Sequence, residues 1–288
     1  MDIKDFPVKL TPQKQDKQPG IEAIMNPRPV FMDPDYKASE RLLNKVAVIT
    51  GGDSGIGRAV AVNYALEGAD IAIIYLDEHE DAEYTKKIIE EKGRKCILLP
   101  CDIGEEKNCF EAVKKITEAF GKIDVLVNNA GEQHPQNSIE DITKEQLEKT
   151  FRTNIFSMFY MVKACLPHMK EGSAIINTSS ITAYKGNEIL IDYSSTKGAI
   201  TAFTRSLSIS LAKRKIRVNA VAPGPIWTPL IPSSFSAEEV CKFGTDTKAG
   251  RPGQPVELAP VYILLASDAS TYISGETIHV NGGQVLNS

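Results

Sequence analysis

The chain has 288 residues, of which 42% are hydrophobic and 24% charged, a profile that excludes a disordered or collagen-like polypeptide and leaves ample apolar material for a large core. A net charge of −4 with a pI near 5.7 gives no basic field for a phosphate backbone, so small-molecule chemistry is expected and nucleic-acid partners are not. Five cysteines and four histidines, scattered and without a C-x-x-C pair, argue against a disulfide framework or a metal site and for reduced core thiols in a cytoplasmic protein.

Six of the sixteen prolines fall in the first forty residues (Pro7, Pro12, Pro19, Pro27, Pro29 and Pro34). The first twenty residues, MDIKDFPVKLTPQKQDKQPG, contain no apolar targeting core, and no later stretch of the chain reaches the ~18 uninterrupted apolar residues of a membrane span. The segment 1–40 is too extended and proline-rich to form a core of its own. It is expected to be an arm lying across the domain or a neighbouring subunit, and to be dispensable for chemistry because the motifs described below all lie downstream.

From residue 45 the chain alternates short β-branched runs with longer amphipathic ones. KVAVIT (45–50) precedes a helical stretch beginning GIGRAV, and DIAIIYL (70–76) precedes a charged helix through Lys92. KCILLP (95–100), IDVLVNN (123–129), SAIINTSS (173–180), IRVNAVAP (216–223) and TIHVNGG (277–283) supply five further strands. Seven strands alternating with helices predict a single α/β domain over residues 41–288, with a doubly wound, Rossmann-type parallel sheet covered on both faces. Thr143 with Gln146, and Ser236 with Glu239, have the spacing of capping boxes at helix starts. Residues 223–255, rich in proline and glycine, lack strand or long-helix character and are expected to form a substrate-covering lid.

The first strand runs into Thr50-Gly51-Gly52-Asp53-Ser54-Gly55-Ile56-Gly57 and then a helix. Glycines at these positions permit a tight turn, let backbone N–H groups approach a pyrophosphate and let helix and sheet pack closely, while the helix N-terminus favours negative charge. The second strand ends at Tyr75-Leu76 and is followed by Asp77 and Glu78. Between Thr50 and Tyr75 the only basic residue is Arg58, so a ribose 2′-phosphate would meet repulsion without an evident cationic partner, and NAD is favoured over NADP. Asp77 and Glu78 can equally be the solvated start of a helix. Asp102, after the third strand, either meets the adenine or caps the next helix with Glu105.

Ser180 closes the fifth strand, Tyr193 follows thirteen positions later, and Lys197 lies one helical turn beyond Tyr193, on the same helix face. A phenol has a pKa of about 10 and must titrate nearer neutrality to exchange a proton with an alcohol or carbonyl. A neighbouring ammonium and a positively charged nicotinamide both favour phenolate and together can supply that change.

With these motifs in order, the sequence resembles the short-chain dehydrogenase/reductase family throughout the region after residue 41. TGGDSGIG (50–57) resembles its cofactor turn, Asn128-Asn129-Ala130-Gly131 its NNAG strand, Asn154 its helix asparagine, and Pro223-Gly224 with Thr228 its nicotinamide clamp. The segments QPGIE (18–22) and MNP (25–27) further resemble a bacterial subgroup of uncharacterised oxidoreductases with an N-terminal extension, related by label to glucose dehydrogenases and general stress proteins. The resemblance implies Tyr193 as acid/base, Lys197 as its electrostatic partner and ribose ligand, Ser180 polarising the substrate oxygen, and Asn154 holding a water that relays protons from Lys197. It places a dinucleotide against Gly51, Asp53, Ser54, Gly55, Ile56, Gly57, Tyr75, Leu76, Asp102, Ile103, Asn129, Ala130, Gly131, Tyr193, Lys197, Pro223, Gly224, Ile226 and Thr228.

The activity so implied is hydride transfer between NAD and a secondary alcohol or its carbonyl, with polyols and sugars among the candidate substrates. A catalytically silent dinucleotide sensor on the same fold is the alternative, which the intact Ser180, Tyr193, Lys197 and Asn154 set disfavours. Gln133 and His134 are candidate substrate contacts. Trp227, the only tryptophan, either walls the substrate pocket or anchors its loop. The apolar helix around residues 151–169 suggests helix-to-helix assembly into a homo-oligomer, the resemblance implying a tetramer.

Overall fold

A computed structural model describes residues 6–285. The seven strands β1 (Val46–Thr50), β2 (Asp70–Tyr75), β3 (Cys96–Pro100), β4 (Val125–Asn128), β5 (Ala174–Thr178), β6 (Arg217–Pro223) and β7 (Thr277–Val280) form one sheet in the order β3-β2-β1-β4-β5-β6-β7, and every pairing is parallel. Parallel neighbours need crossovers, which here are α1 (Gly55–Leu66), α2 (His79–Glu91), α3 (Glu106–Phe120), α4 (Lys144–Phe151), α5 (Ser157–Cys165), a four-residue α6 (Thr182–Lys185), α7 (Ile191–Leu211), α8 (Ala237–Lys242) and α9 (Ala259–Ala266).

The continuous apolar runs of the strands have a direct cause in this layering. In β1, Ala47 and Ile49 feed one core with residues of α1, α2 and α9, whereas Val48 between them points into the opposite core with residues of α3, α5 and α7. Side chains alternate across a strand, so a sheet covered on both faces needs apolar residues at every position. β4 follows β1 in the sheet although two strands separate them in sequence. The direction of winding reverses between them, which opens a crevice at the carboxyl ends of the strands.

Among the described residues, 6–40 carry little regular structure beyond the 3₁₀ turn Glu22–Ile24. They run along the 223–255 segment and just past it: Gln15 N–H donates to Pro232 O at 2.7 Å and Val256 N–H donates to Val30 O at 2.9 Å. Leu10 and Met25 from the arm form a third apolar cluster with Trp227, Ile231 and Val240. The long irregular segment therefore has a core of its own, to which the arm supplies Leu10 and Met25.

Candidate active site

At the crevice, β1 gives way to the glycine turn. Gly51 and Gly55 adopt φ of +61° and +51°, the left-handed region that costs a side chain but not glycine. A Cβ on Gly57 would lie 1.8 Å from Gly51 O, so that glycine closes the turn on itself. The Asn129 side chain donates to Thr50 O and Gly51 O, both at 3.2 Å, and Thr50 Oγ1 accepts the Asn129 and Ala130 N–H groups at 3.0 and 3.1 Å. The turn is thereby stitched to the end of β4, with the N-terminus of α1 facing the crevice.

The crevice is a groove of about 540 Å³. Tyr75, Leu76, Asp102 and Ile103 line one end; Asp53, Ser54, Ile56, Asn129, Ala130 and Gly131 line the middle; Ser180, Tyr193, Lys197, Pro223, Gly224, Ile226 and Thr228 line the other. Gly51 and Gly55 also line it, while Gly57 does not, its part being to let the turn form. An elongated groove over a glycine turn and a helix N-terminus fits a dinucleotide, because close backbone approach and oriented N–H groups suit a pyrophosphate.

The long helix α7 carries Tyr193 and Lys197, and Asp192 anchors its start. The Asp192 carboxylate accepts Tyr193 N–H at 2.8 Å, and from α4 the Gln146 side-chain amide at 3.0 Å and the Thr150 hydroxyl at 2.9 Å. Lys197 Nζ donates to Thr178 O at 2.9 Å and lies 5.3 Å from the centroid of the Tyr193 ring. Burial pushes the Tyr193 phenol up to about 12, with a Ser180 hydrogen bond acting the other way, and burial brings the Lys197 ammonium down to about 7. In the protein alone, burial thus outweighs the Ser180 hydrogen bond and sets the direction of the phenol.

Asn154 does not line the groove. It occupies a π-helical turn, Arg152–Phe156, between α4 and α5, where the local widening of the helix aims its side chain inward. Its Oδ1 accepts Glu132 N–H at 2.8 Å, and its Nδ2 donates to Glu132 O at 2.9 Å and Thr196 Oγ1 at 3.1 Å. It braces the loop that follows β4 directly behind Lys197, since a Cβ on Gly131 would sit 3.2 Å from Asn154 Oδ1 and 3.7 Å from Lys197 Nζ.

The structure places three of the expected features as follows. His134 is not on the groove; its ring turns to Glu132, with Nε2 3.6 Å from the carboxylate. Trp227 is likewise absent from the groove wall: it is fully buried beneath the arm and its indole N–H donates to Pro27 O at 2.8 Å, the placement of a residue that anchors its loop. The arm itself cannot be called remote from the chemistry, because Pro19 and Gly20 line the groove. Gln133 does line it, and the Gln18 side chain clasps its backbone, donating to Gln133 O at 2.8 Å and accepting its N–H at 3.0 Å.

Sequence reasoning missed a buried ionic cluster at the foot of the turn. Arg58 donates to Glu22 of the arm, to Asp81 at 2.9 Å, to Thr85 Oγ1 at 2.7 Å and to Asp53 O at 2.9 Å, and its guanidinium lies over both the Phe31 and the Tyr84 ring, 5.6 and 5.1 Å from their centroids. Glu22 also accepts Gly55 N–H at 2.6 Å. The signal lay in the QPGIE segment, which resembles a subgroup feature but carries no chemistry that spacing alone can assign. The same arm brings Lys17 against Asp77, a cation far outside the 50–75 stretch in which a partner for a 2′-phosphate is expected.

Fold and groove together define a nucleotide-binding oxidoreductase of the Rossmann type. A family model described as enoyl-(acyl carrier protein) reductase matches residues 51–284, and the chain belongs to the short-chain dehydrogenase/reductase family. It is 64% identical over 277 residues to the uncharacterized oxidoreductase YhdF of Bacillus subtilis, covering 96% of each chain. It is 52% identical over 285 residues to the glucose and ribitol dehydrogenase of Daucus carota, covering 97% of this chain and 98% of that one. A short-chain dehydrogenase from Burkholderia cenocepacia, solved in complex with NADP, superposes with a TM-score of 0.79 at 30% identity, over 84% of this chain and 98% of its own.

Proposed function

We propose that this protein transfers hydride between NAD(H) and a secondary alcohol or its carbonyl, with Tyr193 as the acid/base. The observation that carries the reading is the convergence of Ser180, Tyr193 and Lys197 on one wall of the groove that begins at the glycine turn. The nicotinamide supplies hydride acceptance or donation and, when oxidised, a positive charge that favours phenolate. In alcohol oxidation Tyr193 Oη takes the hydroxyl proton as the C–H bond yields hydride, and in carbonyl reduction it returns that proton to the oxygen. Ser180 hydrogen-bonds the same oxygen, and Lys197, with its ammonium easily deprotonated, passes protons onward past the braced Asn154.

Charge at the far end of the groove supports NAD over NADP. Arg58 is locked away by Glu22 and Asp81, Lys17 is engaged by Asp77, and the buried Glu78 carboxyl lines the groove beside Leu76. A 2′-phosphate would enter a field of carboxylates. At the substrate end, Gln133, Lys185, Asn187, Glu239, Asp246 and Gln284 line the outer groove, and a dense set of donors and acceptors suits a polyol or sugar, in keeping with the carrot relative's name.

Half-exposed Phe156 and Phe159 and the exposed Ile209 support assembly through α5 and α7 into a tetramer. Five unpaired cysteines support a reducing, cytoplasmic setting. No helix among the described residues is long and apolar enough to cross a membrane.

The test is a screen of polyols, aldoses and simple ketones, followed by absorbance of the reduced nicotinamide, with NAD and NADP in parallel. Turnover is expected with NAD and is expected to vanish in Tyr193→Phe. Preference for NADP overturns the cofactor reading; tight NADH binding without turnover of any substrate favours the silent sensor.

A further inference from the structure

Residues 17–22 of the arm make contacts at three separate places on or beside the groove. Lys17 meets Asp77 just beyond β2, Gln18 holds the backbone of Gln133 near the substrate end, and Glu22 reaches the glycine turn between them. The last contact has the clearest chemical consequence. Gly55 is the first residue of α1, so its N–H is one of the unpaired donors that make a helix N-terminus attractive to anions. Ser54, at the N-cap position, makes no side-chain cap. The capping acceptor comes from the arm instead, as a carboxylate only 1% exposed.

Glu22 also governs the other side of the turn. Its second oxygen pairs with Arg58, and Arg58 donates to Asp53 O at 2.9 Å. One arm carboxylate thus holds Gly55 N–H directly and the Asp53 carbonyl through a single guanidinium, bracketing Ser54. Asp81 completes the cluster by accepting Glu22 N–H at 2.6 Å and pairing with Arg58 at 2.9 Å. The peptide groups that shape the phosphate-binding surface are therefore positioned by a residue more than thirty places upstream.

We propose that Glu22 is a positioning residue for dinucleotide binding, and that the arm is an integral wall of the dinucleotide site. This rests on the reading that the groove takes a dinucleotide. With Glu22 in place, the turn meets the pyrophosphate in a preformed shape; without it, Gly55 N–H and Arg58 both lose an acceptor and the turn must be reorganised on binding. Fixing a site beforehand lowers the cost of binding without adding a contact to the ligand.

The test is fluorescence titration of NADH into the full-length protein and into its Glu22→Ala, Glu22→Gln and Gly20→Ala variants. Gly20→Ala acts away from the ionic cluster, since a Cβ there would lie 2.4 Å from Pro229 O and must lift the arm. Glu22→Ala is expected to weaken NADH binding by about tenfold, the usual cost of a lost helix cap. Glu22→Gln, which retains an acceptor for Gly55, is expected to recover part of this loss. Gly20→Ala is expected to weaken binding as well. A merely structural role for Glu22 would reduce the number of sites per chain and leave the affinity of the folded remainder unchanged, which overturns the proposal. Wild-type affinity in both Glu22→Ala and Gly20→Ala also overturns it, and where Glu22→Ala does not fold, Gly20→Ala decides. A wild-type protein that binds neither NADH nor NADPH defeats the functional reading itself, a result separable from all of these.

Discussion

The indole N–H of Trp227 donates to the carbonyl of Pro27 at 2.8 Å, joining the loop after β6 to the arm across two hundred residues of sequence. The ring is fully buried among Leu10, Met25, Ile231 and Val240. Trp227→Ala should therefore cost about 3–5 kcal/mol of stability through the cavity it leaves, and Trp227→Phe about 1 kcal/mol for the lost hydrogen bond. Urea unfolding followed by circular dichroism measures both. Equal stability of the two variants would deny the ring its anchoring part.

Lys197 illustrates a site group that is costly to the free protein. Burial lowers its ammonium from 10.5 to about 7, so between those values the unfolded chain binds a proton that the folded one does not. Stability contributed at this position rises with pH across that window, and the burial penalty is complete below pH 7. Lys197→Met is expected to stabilise the protein at about pH 6 and to have little effect at about pH 10, while turnover is lost. Denaturant midpoints at the two pH values provide the check, and a gain that is the same at both would contradict the assignment.

Asp53 lies buried in the turn itself, and burial, aided by Glu78, pushes its carboxyl up to about 7. Below that pH the group is neutral; above it, a negative charge faces the place where dinucleotide phosphates are expected. The dissociation constant for NADH should rise severalfold between about pH 6 and about pH 8, and Asp53→Asn should flatten the part of this dependence due to Asp53. Because Lys197 titrates nearby, the informative quantity is the difference between the two profiles. Parallel profiles would remove Asp53 from the account.

Asn154 does not itself line the groove yet ties Glu132 to Thr196 behind Lys197. Asn154→Ala should lower kcat by about 10²-fold, a typical contribution of assisted proton transfer, with NADH affinity little changed. Asn154→Asp, which still accepts Glu132 N–H but cannot donate to Glu132 O, is expected to fall between. Single-turnover and binding measurements separate the two effects, and a loss confined to NADH affinity would point to bracing of the loop alone.

Features encoded within a few neighbouring residues are legible in the sequence. The seven strands stand where β-branched runs predict them, each one to three residues shorter than its run, and Asn129, Ser179 and Ser180 are among the residues that leave the ladder to line the groove. The contrast between the two helix caps shows the limit. Ser236 and Glu239 form both halves of a capping box, because nothing else competes for the glutamate. Thr143 accepts Gln146 N–H at 3.1 Å, but the Gln146 side chain donates to Asp192 at 3.0 Å and His134 O at 3.1 Å, drawn away by partners that only packing brings near.

The same division separates the core of the site from its surroundings. The glycine turn and the Tyr193–Lys197 spacing follow from local geometry, a tight turn and one turn of helix, so the amino-acid sequence by itself determined the parallel fold, the family and the residues of the groove's inner wall. The tertiary structure alone decided that Trp227 and His134 lie off the groove, that Arg58 is consumed in a buried cluster, and that the proline-rich arm lends Glu22 to Gly55. Those relations depend on where distant, irregular backbone comes to rest. A buried carboxylate or guanidinium must find a partner wherever the fold places one, and no periodicity in the chain records that choice.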